Sequence, residues 1–141
     1  MIVPRVVFDT NCLVSALIFK GVMSQRFRSM WQHTQVLPVI CPETEAELRA
    51  VLAYPKFSLR PDMQQILLND FLGYAEYFPS IKPIEEIPDL IDPKDTMFVR
   101  LAQKSQTGFL VSGDRHILAL ESKFPKLHIT TPAEFIAAIG I

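Results

Sequence analysis

Short apolar runs alternating with helix-patterned segments constrain this chain more than any other feature. Val6-Val7-Phe8 and Phe109-Leu110-Val111 are apolar throughout, and residues 36–41 and 127–129 are further strand candidates. Strands without polar alternation are buried on both faces, as in a parallel sheet covered by helices on either side. Pro4 stands only at the start of the first run, where a missing N–H is tolerated. Between the runs lie helical patterns at 10–19, with Leu13, Ala16 and Leu17 on one face, at 24–33 after Gly21, and at 43–52 after Pro42. Another begins at Asp92-Pro93-Lys94-Asp95, with a cap, a proline at the first helical position and an acid in the first turn, and runs to about 105. A short helix follows Asp114, and Thr131-Pro132-Ala133-Glu134 is a capping box that opens the last one. The expected fold is α/β, an open and mostly parallel sheet with helices on both faces.

Length and charge narrow the function. The 141 residues suit one domain, taken as 1–141, and bury roughly two thirds of the unfolded surface without a disulfide or metal staple. Fourteen Lys and Arg against fifteen Asp and Glu exclude a polycation that grips nucleic acid by bulk charge. No apolar run nears the ~18 residues of a membrane helix. The first ten residues lack the long apolar region and cleavage site of a secretion signal. Cys12 and Cys41 have no Cys or His at metal-ligand spacing, and read as small core residues in a reducing compartment. The cytoplasm is the expected location.

Residues 62–78 read as one long helix between Pro61 and Pro79. Leu67, Phe71, Tyr74 and Phe78, beside Leu68, Leu72 and Ala75, make an apolar face wider than one core contact requires. Deep burial or an oligomer or partner interface would each account for it. A polar, proline-rich connection spans 79–91.

In open α/β sheets the functional crevice lies beyond the carboxyl ends of the strands. Asp9 and Asp114 stand at two such ends, Asp114 beside Gly113, which lets backbone approach closely. Each is also a good N-cap. Asp95 shares a helical face with Phe98, Val99 and Ala102, so it points inward at the helix mouth. Asp92 is explained by capping and has at most a supporting role. On the helix at 43–52, Glu45 pairs with Arg49 at the favourable spacing, whereas Glu47 stacks over Val51 at the edge of the core stripe. Glu47 is the acid that looks inward, unless it is simply a rim glutamate.

Four acids converging on one crevice repel one another unless a cation lies between them. Carboxylate oxygens without His or Cys favour Mg²⁺ or Mn²⁺ over zinc. Such a site activates water and steadies charge on a phosphate, which points to metal-dependent phosphotransfer or phosphodiester cleavage.

Phe8-Asp9-Thr10-Asn11, Glu45-Ala46-Glu47-Leu48, Asp92-Pro93-Lys94-Asp95 and Ser112-Gly113-Asp114 together resemble the PIN-domain ribonucleases. The nearest subgroup is the VapC-like toxins of type II toxin–antitoxin pairs, and the match covers nearly the whole chain. The resemblance implies a three-layer α/β/α fold around a five-stranded sheet, a Mg²⁺- or Mn²⁺-dependent endoribonuclease, usually a homodimer, held inactive by an antitoxin. It assigns Asp9 and Asp95 as principal metal ligands, Asp114 as a ligand directly or through water, and Glu47 as a ligand or water-orienting base. Asn11 and Ser112 match positions that support the first Asp by hydrogen bonds; the family often has Thr where this chain has Ser112.

For RNA contact the chain offers Lys20, Arg26, Arg28, Lys56, Arg60 and Arg115, the last directly after Asp114. His116 could assist. No aromatic stacking platform for single strands is evident. A haloacid-dehalogenase type of phosphotransferase would need an Asp at position 11, where Asn11 stands. A receiver domain would need paired acids after the first strand and a Lys after a late one, and neither is present. The remaining rival is a catalytically inactive PIN-like domain that binds RNA or protein without cutting.

Overall fold

The computed structural model describes residues 3–90 and 92–139. Its framework is a sheet of five strands, β1 (Arg5–Phe8), β2 (Leu37–Ile40), β3 (Glu76–Tyr77), β4 (Phe109–Val111) and β5 (His128–Thr130). The spatial order is β3-β2-β1-β4-β5 and every neighbouring pair is parallel. Seven helices connect and flank the strands: α1 (Thr10–Ile18), α2 (Val22–Gln32), α3 (Pro42–Leu52), α4 (Pro61–Leu72), α5 (Pro93–Lys104), α6 (Arg115–Leu118) and α7 (Pro132–Ile139). The expected three-layer α/β/α arrangement is what forms.

Side-chain alternation along the strands builds two cores from one sheet. Val6 and Phe8 of β1, Ile40 of β2 and Val111 of β4 pack with α1, α2, α3, α4 and α7. Val7, Val39 and Leu110 face the opposite way, against α5, α6 and the apolar residues Ile81, Ile87 and Leu90 of the connection before α5. Phe8 anchors the first core, meeting Phe27, Trp31 and Phe135 edge-on at 5.8–6.2 Å between ring centres. The capping box at Thr131 and Glu134 forms, each residue's N–H donating to the other's side chain at 3.2 Å.

One expected element is different. The helix expected over 62–78 stops at Leu72, with Gly73 at its C-cap. The chain then turns back, so that Glu76 and Tyr77 pair with Val39 and Ile40 as the edge strand β3. Arg5 secures this edge by an ion pair with Glu76. Of the apolar face, Leu68 and Phe71 are buried, Leu67, Leu72, Ala75 and Phe78 are half-buried and Tyr74 stays exposed, while Met63 and Ile66, outside that face, are exposed on α4. No helix among the described residues is long and apolar enough to cross a membrane.

Candidate active site

The strand order reverses between β1 and β4, where two crossovers diverge and leave a crevice at the carboxyl ends. Asp9 and Ser112 leave the sheet there side by side. The Asp9 N–H donates to the Val111 carbonyl at 3.1 Å. Asp9 then caps α1, its Oδ1 accepting the Cys12 N–H at 2.9 Å, while Oδ2 accepts the hydroxyl of Ser112. Ser112 is completely buried, and its Oγ in turn accepts the N–H of Asp114 at 3.0 Å. One buried hydroxyl therefore ties the two strand-end acids into fixed relative positions. Asp114 caps α6 through the His116 N–H at 2.7 Å, and the imidazole Nδ1 lies 3.4 Å from the same carboxylate oxygen.

α5 and α3 supply the other two acids. Asp92 caps α5 through the Lys94 N–H at 2.9 Å. Asp95 follows on the face that carries the buried Phe98, Val99 and Ala102, and is itself half-buried. Glu47 of α3 has a side chain only 14% exposed, with the Lys94 ammonium 3.7 Å from its Oε2. Glu45 pairs outward with Arg49 at 2.8 Å, and Glu43 accepts the Ile81 N–H at 3.2 Å. Of the three glutamates on α3, only Glu47 lines the cleft.

Asp9, Glu47, Asp95 and Asp114 thus line one cleft of about 250 Å³, with Asp92 and Asn11 at its wall. Burial raises the Asp95 carboxyl above its ordinary pKa, and the charges of Asp114, Asp92 and Asp9 push the same way. Burial, then Asp9, drive the Cys12 thiol far upward, so it is no nucleophile. A larger open groove of about 650 Å³, walled by Gln103, Gln106, Lys123 and Phe124, holds no acidic side chain and lies away from these residues.

The remaining sequence candidates divide. Asn11 lines the cleft but is exposed and makes no hydrogen bond to Asp9 among the described residues; the Cys12 backbone fills that place. Lys56 lines the cleft, whereas Arg60 is paired with Asp62 at 2.8 Å. Lys20 follows the far end of the nine-residue α1, roughly 13 Å along the helix from Asp9. Arg28 is at that end too, donating to the carbonyls of Ala16 and Phe19, and is a helix cap instead of a free RNA contact. Arg26 is exposed on α2 and does not line the cleft. Arg115 is exposed at the start of α6, beside Asp114.

Four cleft residues carry no role in the sequence reading: Lys94, Tyr54, Phe57 and Thr10. Helical spacing holds the signal for two of them. Lys94 precedes Asp95 in the first turn of α5, and Tyr54 is seven residues after Glu47, in the turn that follows α3. The Thr10 hydroxyl is buried and has no hydrogen-bond partner among the described residues. A buried polar atom left unpaired beside a cluster of carboxylates fits a hydrated ligand in the cleft.

By donor chemistry, five carboxylates (the four acids and Asp92) and no His or Cys in the lining suit a hard divalent cation. They are not closed on a single point: no group of three or more Asp, Glu, His or Cys poised to hold a metal forms among the described residues.

The PIN-domain family model matches residues 5–116, which takes in all four acids. The chain belongs to the PIN-domain family. Its fold is similar to VapBC2 from Rickettsia felis, solved bound to a DNA fragment from their promoter, at a TM-score of 0.61 and 14% identity, over 90% of this chain and 98% of that one. It is also similar to PAE2754 from Pyrobaculum aerophilum, at a TM-score of 0.65 and 15% identity, over 98% of this chain and 90% of that one. At such identities the likeness is one of fold. No curated protein matches by sequence. Membership of the PIN family supports a nuclease, and so a hydrolase, reading of the acidic cleft.

Proposed function

We propose that the protein is a Mg²⁺- or Mn²⁺-dependent endoribonuclease that hydrolyses RNA phosphodiester bonds in the acidic cleft. In this reading it is the toxin of a toxin–antitoxin pair, acts in the cytoplasm, and works as a homodimer. The observation that carries the reading is the meeting of Asp9, Glu47, Asp95 and Asp114, from four different elements, in one cleft. The raised Asp95 carboxyl, pushed up by burial and by Asp114, Asp92 and Asp9, supports a cleft whose repulsion a bound cation would relieve. The likeness to VapBC2 supports an antitoxin partner, and the exposed Met63 and Ile66 on α4 support an apolar interface.

The chain's own residues prepare the site. Asp9 is held through both carboxylate oxygens, by Cys12 N–H and by Ser112, so its remaining lone pairs keep a fixed direction. Asp114 is held by its His116 bond and, through its own N–H, by Ser112. Asp95, Asp9 and Asp114 would be ligands, with Glu47 completing the set or orienting the attacking water. A bound Mg²⁺ or Mn²⁺ supplies an activated water and neutralises charge on the phosphate. Lys94 and Lys56 line the same cleft and offer ammonium donors to phosphate oxygens.

The test is cleavage of a mixed RNA pool with and without Mg²⁺ or Mn²⁺, by wild type, Asp9→Asn and Asp95→Asn. Metal-dependent cleavage lost in both variants is the expected result. Activity that survives both substitutions would place the chemistry elsewhere. Folded wild-type protein that neither cleaves nor binds Mn²⁺ in calorimetry would leave a non-cutting binding module. Sedimentation that gives only monomer across a wide concentration range would remove the homodimer.

A further inference from the structure

Tyr54, Lys56 and Phe57 line the cleft together with the acids. Glu47, Val51 and Tyr54 follow one another at i, i+4 and i+7 on one side of α3 and the turn after it, and each lines the cleft. The turn is well tied. Tyr54 N–H donates to the Val51 carbonyl at 3.0 Å, Phe57 N–H to Tyr54 at 3.1 Å, and Ser58 N–H to Pro55 at 3.0 Å. Tyr54 is nevertheless 40% exposed. Phe57 packs partly against the core, and the Lys56 ammonium lies 5.1 Å from the centre of its ring. Among the described residues, Lys56 is in no ion pair.

A tied, half-exposed aromatic ring and an unpaired cation on the wall of an acidic cleft suit a chain whose charge and rings alternate. We propose that Tyr54 is a stacking platform for a base flanking the reacting phosphate, with Lys56 on the neighbouring phosphate, so that the cleft takes single-stranded RNA. This rests on the endoribonuclease reading and adds the residues that choose the strand. A base within a duplex is stacked on its neighbours and cannot lie on the Tyr54 ring, whereas an unpaired base offers its face at little cost. The ring does not read base identity, because every base has a π-face, so the preference is for unpaired over paired RNA and not for a sequence.

The experiment is fluorescence anisotropy with a labelled single-stranded oligoribonucleotide and with the same strand annealed to its complement. It is done in Mg²⁺ with Asp9→Asn protein, so that the RNA survives. Adding Tyr54→Ala should weaken single-strand binding about 5- to 150-fold, the range for loss of one base–aromatic stack. Tyr54→Phe and Tyr54→Trp should bind within about threefold of the parent, because the ring and not the hydroxyl carries the contact. Lys56→Gln should weaken binding and reduce the salt dependence by about one phosphate contact. The duplex should bind more weakly than the single strand and be indifferent to Tyr54→Ala. Unchanged binding by folded Tyr54→Ala, an equal loss in Tyr54→Phe, duplex binding as tight as single-strand binding, or no binding of the single strand would each overturn the proposal. Binding that depends on Tyr54, from a wild type that cuts no RNA, would retire the nuclease reading alone. Cleavage with Tyr54→Ala binding normally would retire the platform alone.

Discussion

Asp95 and Glu43 both stand in the first turn of a helix, α5 and α3, yet their surroundings drive the two carboxyls in opposite directions. Asp95 is raised by burial and then by Asp114, Asp92 and Asp9. Burial also works against the charged form of Glu43, but the Ile81 N–H, further hydrogen bonds and the nearby Lys82 outweigh it, and the carboxyl is lowered. The segment around Glu43 is satisfied in the same manner throughout. Arg100 donates to the carbonyls of Glu85 and Glu86 at 2.8 and 2.9 Å, and the Lys104 ammonium reaches those of Ile81 and Pro83. Helix position therefore does not decide a carboxylate's state here; the partners do. Around Glu43 the charge is met by hydrogen-bond donors and Lys82, whereas around Asp95 it meets three further carboxylates.

The largest effect expected from breaking this contrast is on activity. Asp9→Asn and Asp95→Asn each remove one carboxylate proposed as a metal ligand with little change of shape, and cleavage should fall by ~10²- to 10³-fold, the scale of losing one preorganised electrostatic group. Glu43→Gln should leave the rate of cleavage within about twofold, because Glu43 faces Ile81 and not the cleft. Single-turnover rates on one oligonucleotide compare all three. A comparable loss in Glu43→Gln would mean that the two regions are not separable.

Ser112→Ala sharpens the comparison from inside the cleft. It removes the donor to Asp9 and the acceptor of the Asp114 N–H while adding no charge. Activity should drop ~10- to 100-fold, as for other groups that orient a metal ligand. The buried polar atoms left unpaired should cost about 1–3 kcal/mol in urea unfolding. Ser112→Thr, which keeps the hydroxyl, should recover most of the activity. Equal loss in the Thr variant would show that volume and not the hydrogen bond matters at this fully buried site.

The stability of the metal-free protein should respond with opposite signs. Asp95→Asn removes a half-buried charge among like charges, so the melting temperature should rise. Glu43→Ala leaves the Ile81 N–H without its partner and should lower stability by ~1 kcal/mol. Scanning calorimetry without divalent ions is the check. A lower melting temperature for Asp95→Asn would mean that the carboxylate is a structural asset and not a reserved ligand.

Much of the cleft is legible in the sequence because each acid is tied to a local rule. Asp9 and Asp114 follow apolar strands, Asp95 lies in the register of Phe98 and Val99, and Glu47 in that of Val51. These rules depend only on neighbours within a turn or two. What was not legible depends on long-range placement. β3 has two residues and no apolar run, and its pairing with β2 is set by the sheet, not by its own composition. Tyr74 and Ala75 continue the helical period of α4 by coincidence, and only Gly73 hints at the stop. As basic residues Lys20 and Arg28 are equivalent to Lys56 in the sequence, but Lys20 follows the far end of α1 and Arg28, on α2, is bonded to the carbonyls of that same end. Tyr54 escaped notice because a lone aromatic after a helix has no pattern until Glu47 is known to face the cleft.

The smallest expected effect separates the two carboxyls by pH. For Asp95 the folded pKa lies above the ordinary 3.8, so between the two values the folded protein holds the proton more tightly than the unfolded chain. Stability of the metal-free protein then falls as pH rises through that interval, and acidifying from neutrality toward it recovers the loss. Glu43 has the opposite sign. Its folded pKa lies below the ordinary 4.5, so its contribution is complete above that value and is lost as pH falls through the folded one. On acidification of the wild type, the melting temperature should gain slightly through Asp95 in the interval above pH 3.8 and drop through Glu43 in the interval below pH 4.5. Asp95→Asn should erase the gain and keep the drop; Glu43→Gln should keep the gain and make the drop shallower. Saturating Mn²⁺ should erase the gain as well, because a bound cation relieves the same repulsion that raises Asp95. If Mn²⁺ shifts the whole curve without altering its shape, then the ion binds away from Asp95 and the cleft is not the metal site.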